Sequence, residues 1–484
     1  MFPKRSLLFA SVVIAISSHN AICAPSRSDR SGNPMQLVFE DDFSSAELDL
    51  STWRHDITLS GEMGRNEFEA YVNNRTNSFV REGALHIQPT LTSDLLGADC
   101  VSGGQSCTIE LWALNPADTC TCPLSYGCSR SSNAGARIAL NPVQSARIST
   151  YGGFSFAYGR LEVEAKLPRG DWMWPAVWLL PERSEYGPWP ASGEIDLLES
   201  RGNAPGYAGA GAGTATGCDA VGSTLHWGPH ASVNRYERTT ASEREDSGRG
   251  ESFTEKFTTF GLFWDESGLY TYVGDDSRRV LEVPFADQSF WERGGFERDG
   301  RNNPWAGRGN GAPFDRPMYI ILNVAVGGVN GYFPDVAGKP WRDSDQDGPM
   351  RFWEARDQWL PTWQPDGSSA LQIRSVRVWQ AKNGGGAASR SYSPQVARRM
   401  AAAGIDVGDW GGSSGGSGAG GPVPAPTPAL PVPGPPPLEG GGEGSGGEVS
   451  PAVLMLAELE TKVNERIRLF DFLGDMFREM ESDG

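Results

Sequence analysis

GLFWDESGLYTYV, residues 261–273, alternates large apolar side chains with small or polar ones on both sides of Asp265-Glu266-Ser267-Gly268. Two period-two runs joined by an Asp/Ser/Gly turn read as a β-hairpin, because the alternation puts one face of each strand against a core. The pattern recurs in both directions along the chain. SFVREGALHIQPTL (78–91), GRLEVEAKLP (159–168), PMYIILNVAVGG (317–328) and LQIRSVRVWQ (371–380) are short alternating or apolar runs bounded by Gly, Pro, Asn and Asp. Few stretches keep a helical period, so the segment from about Met35 to Ala381 is expected to be all-β, a sandwich or jelly roll rather than a βαβ fold. The loops at 92–145, 201–222 and 286–316 are long, and their Trp and Cys content suits the walls of a binding groove.

The chain has 484 residues with 16 Trp, 61 Gly and 34 Pro, which allows a large core with many turns. Asp plus Glu number 60 against 42 Lys plus Arg, a net charge of −18, with no basic block. No nucleic acid and no membrane surface is expected as a partner, since either needs a local positive patch, and an anionic polysaccharide is disfavoured for the same reason. A neutral ligand is compatible with this charge.

At the start, Lys4 and Arg5 precede an apolar run from Leu7 to Ile16 and small or polar residues around Ala21 to Ala24. The run is about half the length of a bilayer span, so residues 1–24 read as a secretory signal peptide and the protein as secreted, extracellular. With Cys23 set aside, Cys100, Cys107, Cys120, Cys122, Cys128 and Cys218 remain. In an oxidising compartment they are expected to form three disulfides of open pairing, with a zinc knot as the weaker alternative because His is scarce. Asn74-Arg75-Thr76 is a glycosylation sequon. Beyond Lys382 the composition turns to Gly, Ser and Pro, a linker over 382–450 with room for a short helix around Val396 to Ala403. The last segment, 451–484, sets Leu456, Leu459, Val463, Ile467, Phe470, Leu473 and Phe477 at helical spacing. It is expected to be an amphipathic helix whose apolar stretch, within 453–480, docks on the domain, self-associates or binds another protein.

The densest chemical signal is GRLEVEAKLPRGDWMWPAVWLLPERSEYGPWPASGEIDLLESRGN, residues 159–203. In a regular strand Glu194 and Asp196 share a face and Glu199 lies on the other; one β-bulge at Leu197-Leu198 brings all three to one surface. Two carboxyls about 5 Å apart, one ionised and one protonated, are what retaining glycoside hydrolysis requires. Asp196 between them can hydrogen-bond the nucleophile and, by like-charge repulsion, favour a proton on its neighbour. A solvated acidic strand or a calcium site would use the same residues. Trp172, Trp174, Trp178, Trp189 and Trp227 lie close in sequence, some as core and some as platforms for the apolar faces of sugar rings.

These residues resemble glycoside hydrolase family 16, in its laminarinase and β-1,3-glucan-recognition branch. WPAVWLLP (174–181) and YGPWPASGEIDLLESRGN (186–203) carry the likeness. FEDDF (39–43), LDLSTWRHDIT (48–58), NEFEAYVNNRTNSFVREGALHIQPTLT (66–92), STLHWGP (223–229), FDRPMYIILNVAVGG (314–328) and SVRVWQ (375–380) extend it. The resemblance implies a concanavalin-like β-jelly-roll sandwich over 34–381 with a carbohydrate-binding cleft on its concave face. It implies Glu194 as nucleophile, Glu199 as general acid/base, Asp196 as auxiliary acid and His226 beside the nucleophile. Trp178, Trp189, Trp227, Arg160, Arg201 and Asn323 are implied as groove residues. Members of the branch that only bind glucan have lost the glutamates, and this chain keeps both. Ser375 stands where many members have a calcium-binding Asp, so no metal is expected, and the chemistry needs no cofactor. The implied function is a secreted endo-1,3-β-glucanase acting on laminarin-like β-1,3-glucan, with a non-catalytic recognition protein and a transglycosylase as rivals.

Overall fold

In the computed structural model the residues described are 26–61, 67–111, 119–207, 217–245, 252–299, 302–382, 390–402 and 404–405. The expected signal peptide, most of the linker and the terminal helix lie outside them. Two antiparallel sheets face each other. One runs Arg279–Pro284, Gly268–Val273, Thr258–Asp265, Gly159–Lys166, Leu371–Ala381, Ala84–Ile87, Ser78–Arg81, with Met35–Asp41 paired to Leu371–Ala381. The other runs Thr240–Arg244, Ala220–His226, Glu194–Glu199, Met173–Pro181, Met318–Val326, Arg147–Ser149, Arg54–Asp56. This is the expected β-jelly-roll sandwich, and the 261–273 hairpin is one of its parts, with Asp265 opposite Gly268 at the turn.

Alternation explains why the sheets stack. Along Gly159–Lys166, Leu161, Val163 and Ala165 are fully buried in the core while Glu162 and Glu164 face away from it. Along Met173–Pro181, Met173, Val177 and Leu179 enter the same core, leaving Trp174, Ala176 and Trp178 for the other side of that sheet. Period two thus fixes which residues the second sheet offers to a ligand.

Two expectations are corrected here. The first is the end of the sandwich, which lies beyond Ala381. Arg390–Tyr392 pairs with Phe154–Phe156, and the helix Pro394–Ala402 buries Val396, Ala397 and Met400 in the core, joined by Ile405. Val396, Ala397 and Met400 sit on one helical face, so this piece of an otherwise Gly-rich stretch has apolar area to bury. The second is the disulfide count. Cys100–Cys107 and Cys120–Cys128 are bonded, whereas Cys122 and Cys218 are free and buried. Cys122 lies against the Ser60 hydroxyl at 3.7 Å, and Cys218 opens a different part of the fold, bonded through its backbone to Asn203 and Phe253. Burial pushes the Cys218 thiol up to about 11.

Candidate active site

The strand Glu194–Glu199 is central in the second sheet, and its register carries the site. On one side Ala176 opposes Glu199, Val177 opposes Leu198 and Trp178 opposes Asp196, so Leu197 is skipped. On the other side Asp196 opposes Thr224 and Glu199 opposes Gly222, so Leu197 and Leu198 together face Ser223, whose hydroxyl donates to the Leu197 carbonyl at 2.7 Å. This is a β-bulge at the predicted position. Ile195, Leu197 and Leu198 fill the core, and Glu194, Asp196 and Glu199 emerge together on the opposite face. Gly193, at φ +83°, turns the chain into the strand with Phe314 3.0 Å from where a Cβ would sit, which only glycine tolerates.

Each glutamate is held by an indole. Trp189 Nε1 donates to Glu194 Oε2 at 2.8 Å, and Trp174 Nε1 donates to Glu199 Oε1 at 2.8 Å. His226 ends the neighbouring strand opposite Glu194, and its Nε2 lies 3.2 Å from Asp196 Oδ2 and 3.7 Å from Glu194 Oε1. Glu194, Asp196 and His226 are the one group among the described residues whose acidic and imidazole donor atoms converge as a cation site would require, all within 4.8 Å.

The other expected groove residues separate into three sets. Trp178 and Asn323 are in the second sheet near the acids: Asn323 is fully buried, accepts from Trp178 Nε1 at 2.7 Å and donates to the Tyr71 hydroxyl at 2.9 Å. Asn323 therefore sets the Trp178 ring instead of lining the surface. Arg201 lies beyond Glu199, where it donates to the Tyr332 carbonyl and its guanidinium stacks 4.2 Å from the Tyr332 ring. Trp227 and Arg160 are elsewhere. Trp227 is fully buried against Phe290 and Phe296, with Nε1 on Thr239, because the residue after His226 turns into the core. Arg160 belongs to the first sheet and faces outward from it, bound to Asp276 through both terminal nitrogens and to the Tyr272 hydroxyl. The parity of its strand, with Leu161 turned inward, sends it away from the acids.

Further residues complete the site: Trp174, one of the tryptophans expected beside the acids as core or platform, and Tyr236, Tyr332 and Arg147, which were not anticipated. Trp174 stacks flat on Tyr332, with ring centres 3.6 Å apart at 4°. Tyr236, half exposed, stacks on His226 at 5.2 Å. Arg147 is buried, paired with Asp56 at 2.9 Å and set over the Trp178 ring. Trp174 was open to strand parity, since it shares a face with Trp178 once Met173 and Val177 are placed in the core. Tyr236 and Tyr332 sit in loops without periodicity and gave no such signal. A further acidic run, Asp343, Asp345, Asp347 and Glu354, has the D-x-D-x-D-G-x₅-E spacing of a calcium loop. Its carboxylates instead face cations of the chain: Lys339 on Asp343, Arg351 on Asp345 and Asp347, Arg137 on Asp347 and Glu354.

A jelly-roll sandwich with paired glutamates on one sheet face, each tethered by an indole, defines a carbohydrate-active class. The chain belongs to the glycosyl hydrolases family 16, whose family model matches residues 122–289. It is 45% identical over 357 residues to the "Beta-1,3-glucan-binding protein" of Penaeus monodon, covering 72% of this chain and 91% of that one. It is 29% identical over 320 residues to the "Glucan endo-1,3-beta-glucosidase" of Cryptopygus antarcticus, covering 64% of this chain and 86% of that one. Other relatives are longer, and the chain spans 65% of the length of the "Beta-1,3-glucan-binding protein" of Tenebrio molitor. Among solved structures, the endo-β-1,3-glucanase of Pyrococcus furiosus aligns at a TM-score of 0.45 and 22% identity, covering 74% of this chain and 99% of that one.

Proposed function

We propose that this protein is a secreted endo-1,3-β-glucanase that hydrolyses β-1,3-glucan with retention at the anomeric carbon. The observation that carries the reading is the bulge at Leu197, which gathers Glu194, Asp196 and Glu199 on one face of the second sheet. In this reading Glu194 attacks the anomeric carbon while Glu199 protonates the leaving oxygen. Glu199 then takes a proton from water as that water releases the glycosyl group from Glu194. Asp196 and His226 hold the nucleophile's surroundings. The indole bonds from Trp189 and Trp174 leave each carboxyl with one oxygen fixed, which orients the other. Trp178, Trp189 and Tyr236 supply aromatic faces for sugar C–H surfaces. The family membership and the name of the Cryptopygus antarcticus relative support glucan as the substrate class. No helix among the described residues is long and apolar enough to cross a membrane.

A second reading, a protein that binds β-1,3-glucan without turning it over, is favoured by the name of the Penaeus monodon relative. Laminarin, mixed-linkage glucan and carboxymethyl-cellulose, incubated with the purified protein and resolved by product length, separate the two. Short oligosaccharides from laminarin are expected. Binding to laminarin with no product from any of the three would assign the protein to the second reading.

A further inference from the structure

The tautomer of His226 is written into the loop that follows it. Asn234 sits in that loop, and its side chain bridges two neighbours. Its Oδ1 accepts from the Trp227 backbone N–H at 3.2 Å, and its Nδ2 lies 2.6 Å from His226 Nδ1. A backbone N–H can only donate, so the oxygen of the amide is committed to Trp227 and the NH₂ group is turned to the imidazole. An amide NH₂ can only donate, so Nδ1 must present its lone pair. The loop is closed around this pair by the Arg235 N–H on the Trp227 carbonyl at 2.8 Å. The ring itself lies between Tyr236 at 5.2 Å and Trp189 at 5.7 Å.

We propose that Asn234 is a positioning residue that keeps His226 neutral with its proton on Nε2, aimed at Asp196 Oδ2 and Glu194 Oε1 of the acid strand. This rests on the glucanase reading only for its consequence. A neutral N–H there, 3.2 Å from Asp196 Oδ2 and 3.7 Å from Glu194 Oε1, turns the positive end of its dipole toward both carboxylates. An imidazolium at that place would add a full positive charge, which favours the ionised form of every carboxylate near it. In the proposed reaction Glu199 must carry a proton, so a neutral His226 suits the cycle and a cationic one opposes it. The N–H on Nε2 also leaves that nitrogen no lone pair for a cation.

The test reads the tautomer directly. Protein labelled with ¹⁵N-histidine gives long-range ¹H–¹⁵N patterns that distinguish Nε2–H, Nδ1–H and imidazolium; the chain has 5 His, and His226→Gln identifies the signal. At pH 7 the wild type is expected to show the neutral Nε2–H pattern, and an Nδ1–H or imidazolium pattern would overturn the proposal. Asn234→Asp keeps the shape but replaces the donor with an acceptor, so a proton is expected on Nδ1. Laminarin hydrolysis in that variant should fall about 10- to 100-fold in kcat with KM little changed. Should Asn234→Asp fold poorly, Asn234→Ala is expected to give a mixture of tautomers. An unchanged Nε2–H pattern in the variant that folds would equally overturn the proposal. The spectra need no turnover: a wild type with the expected tautomer but no glucan hydrolysis would sustain the role of Asn234 and sink the glucanase reading alone.

Discussion

Trp174 and Trp189 each give a single N–H to one of the two glutamates, and that bond can be removed without removing the ring. Trp174→Phe keeps an aromatic face toward Tyr332 and loses the bond to Glu199. A hydrogen bond to the neutral carboxyl of the proposed acid contributes about 0.5–1.5 kcal/mol, so laminarin hydrolysis is expected to fall ~2- to 10-fold in kcat with melting temperature nearly unchanged. An equal loss in thermal stability would mean that the indole serves packing instead. His86 offers a test that concerns stability alone. Its ring is stacked on Phe79 at 5.0 Å, and burial, with Arg81 adding to it, lowers its pKa from the ordinary value. A base whose pKa is depressed by folding binds its proton more readily when unfolded. Its contribution is therefore whole above the unfolded pKa, about 6.5, and is lost as pH falls toward the folded value. His86→Phe is expected to flatten the fall in melting temperature between pH 7 and pH 5, read by circular dichroism. At this scale the sequence was legible wherever strand parity applied. The shared face of Glu194 and Asp196 followed from it, as the face of Trp174 and Trp178 could have. Arg160 and Trp227 were placed by neighbouring motif, and parity and the turn after His226 sent them elsewhere. Tyr236 and Asn234 lie in a loop whose path depends on contacts distant in sequence.

The element that matters most is a six-residue strand, Glu194–Glu199, with one residue more than its partners. Its bulge was legible because three acids on a strand interleaved with Ile195, Leu197 and Leu198 cannot share a face without one. Inserting one Ala between Leu198 and Glu199 tests this account. The added residue would take the outward place and turn Glu199 into the core, where an unpaired carboxylate is costly. The variant is expected to lose all hydrolysis and to melt far below the wild type, whereas Leu197→Ala keeps the count and should retain activity at a stability cost of about 2–5 kcal/mol. Activity surviving the insertion would show that the acids do not depend on this register. The cysteines illustrate the opposite case. Their crowding between 100 and 128 announced disulfides, but pairing is set by Cβ directions that the spacing does not encode. Cys122 and Cys218 ended in separate buried places. Protein lacking residues 1–24 should therefore show no reactive thiol when native and two per chain when unfolded in denaturant, by colorimetric titration; none after unfolding would restore the third disulfide.

For the whole molecule, the two-sheet architecture was legible from alternating runs, since each needs a core on one side only. The limit of the domain was not, because Val396, Ala397 and Met400 are few apolar residues within a Gly-rich stretch. Truncation after Lys382 removes them together with Tyr392 and Ile405 and is expected to lower the melting temperature sharply. Truncation after Ile405 should leave it within a few degrees of the full chain. Equal stability of the two would detach 390–405 from the core. The central claim is that the acids gathered by the bulge hydrolyse β-1,3-glucan, and it meets its most direct test in the nucleophile. Reducing-end release from laminarin should be compared for the wild type and Glu194→Gln, with laminarin binding measured on both. The account predicts short oligosaccharides from the wild type, and a loss of at least ~10³-fold in the variant with binding retained. Hydrolysis by Glu194→Gln at the wild-type rate would contradict it.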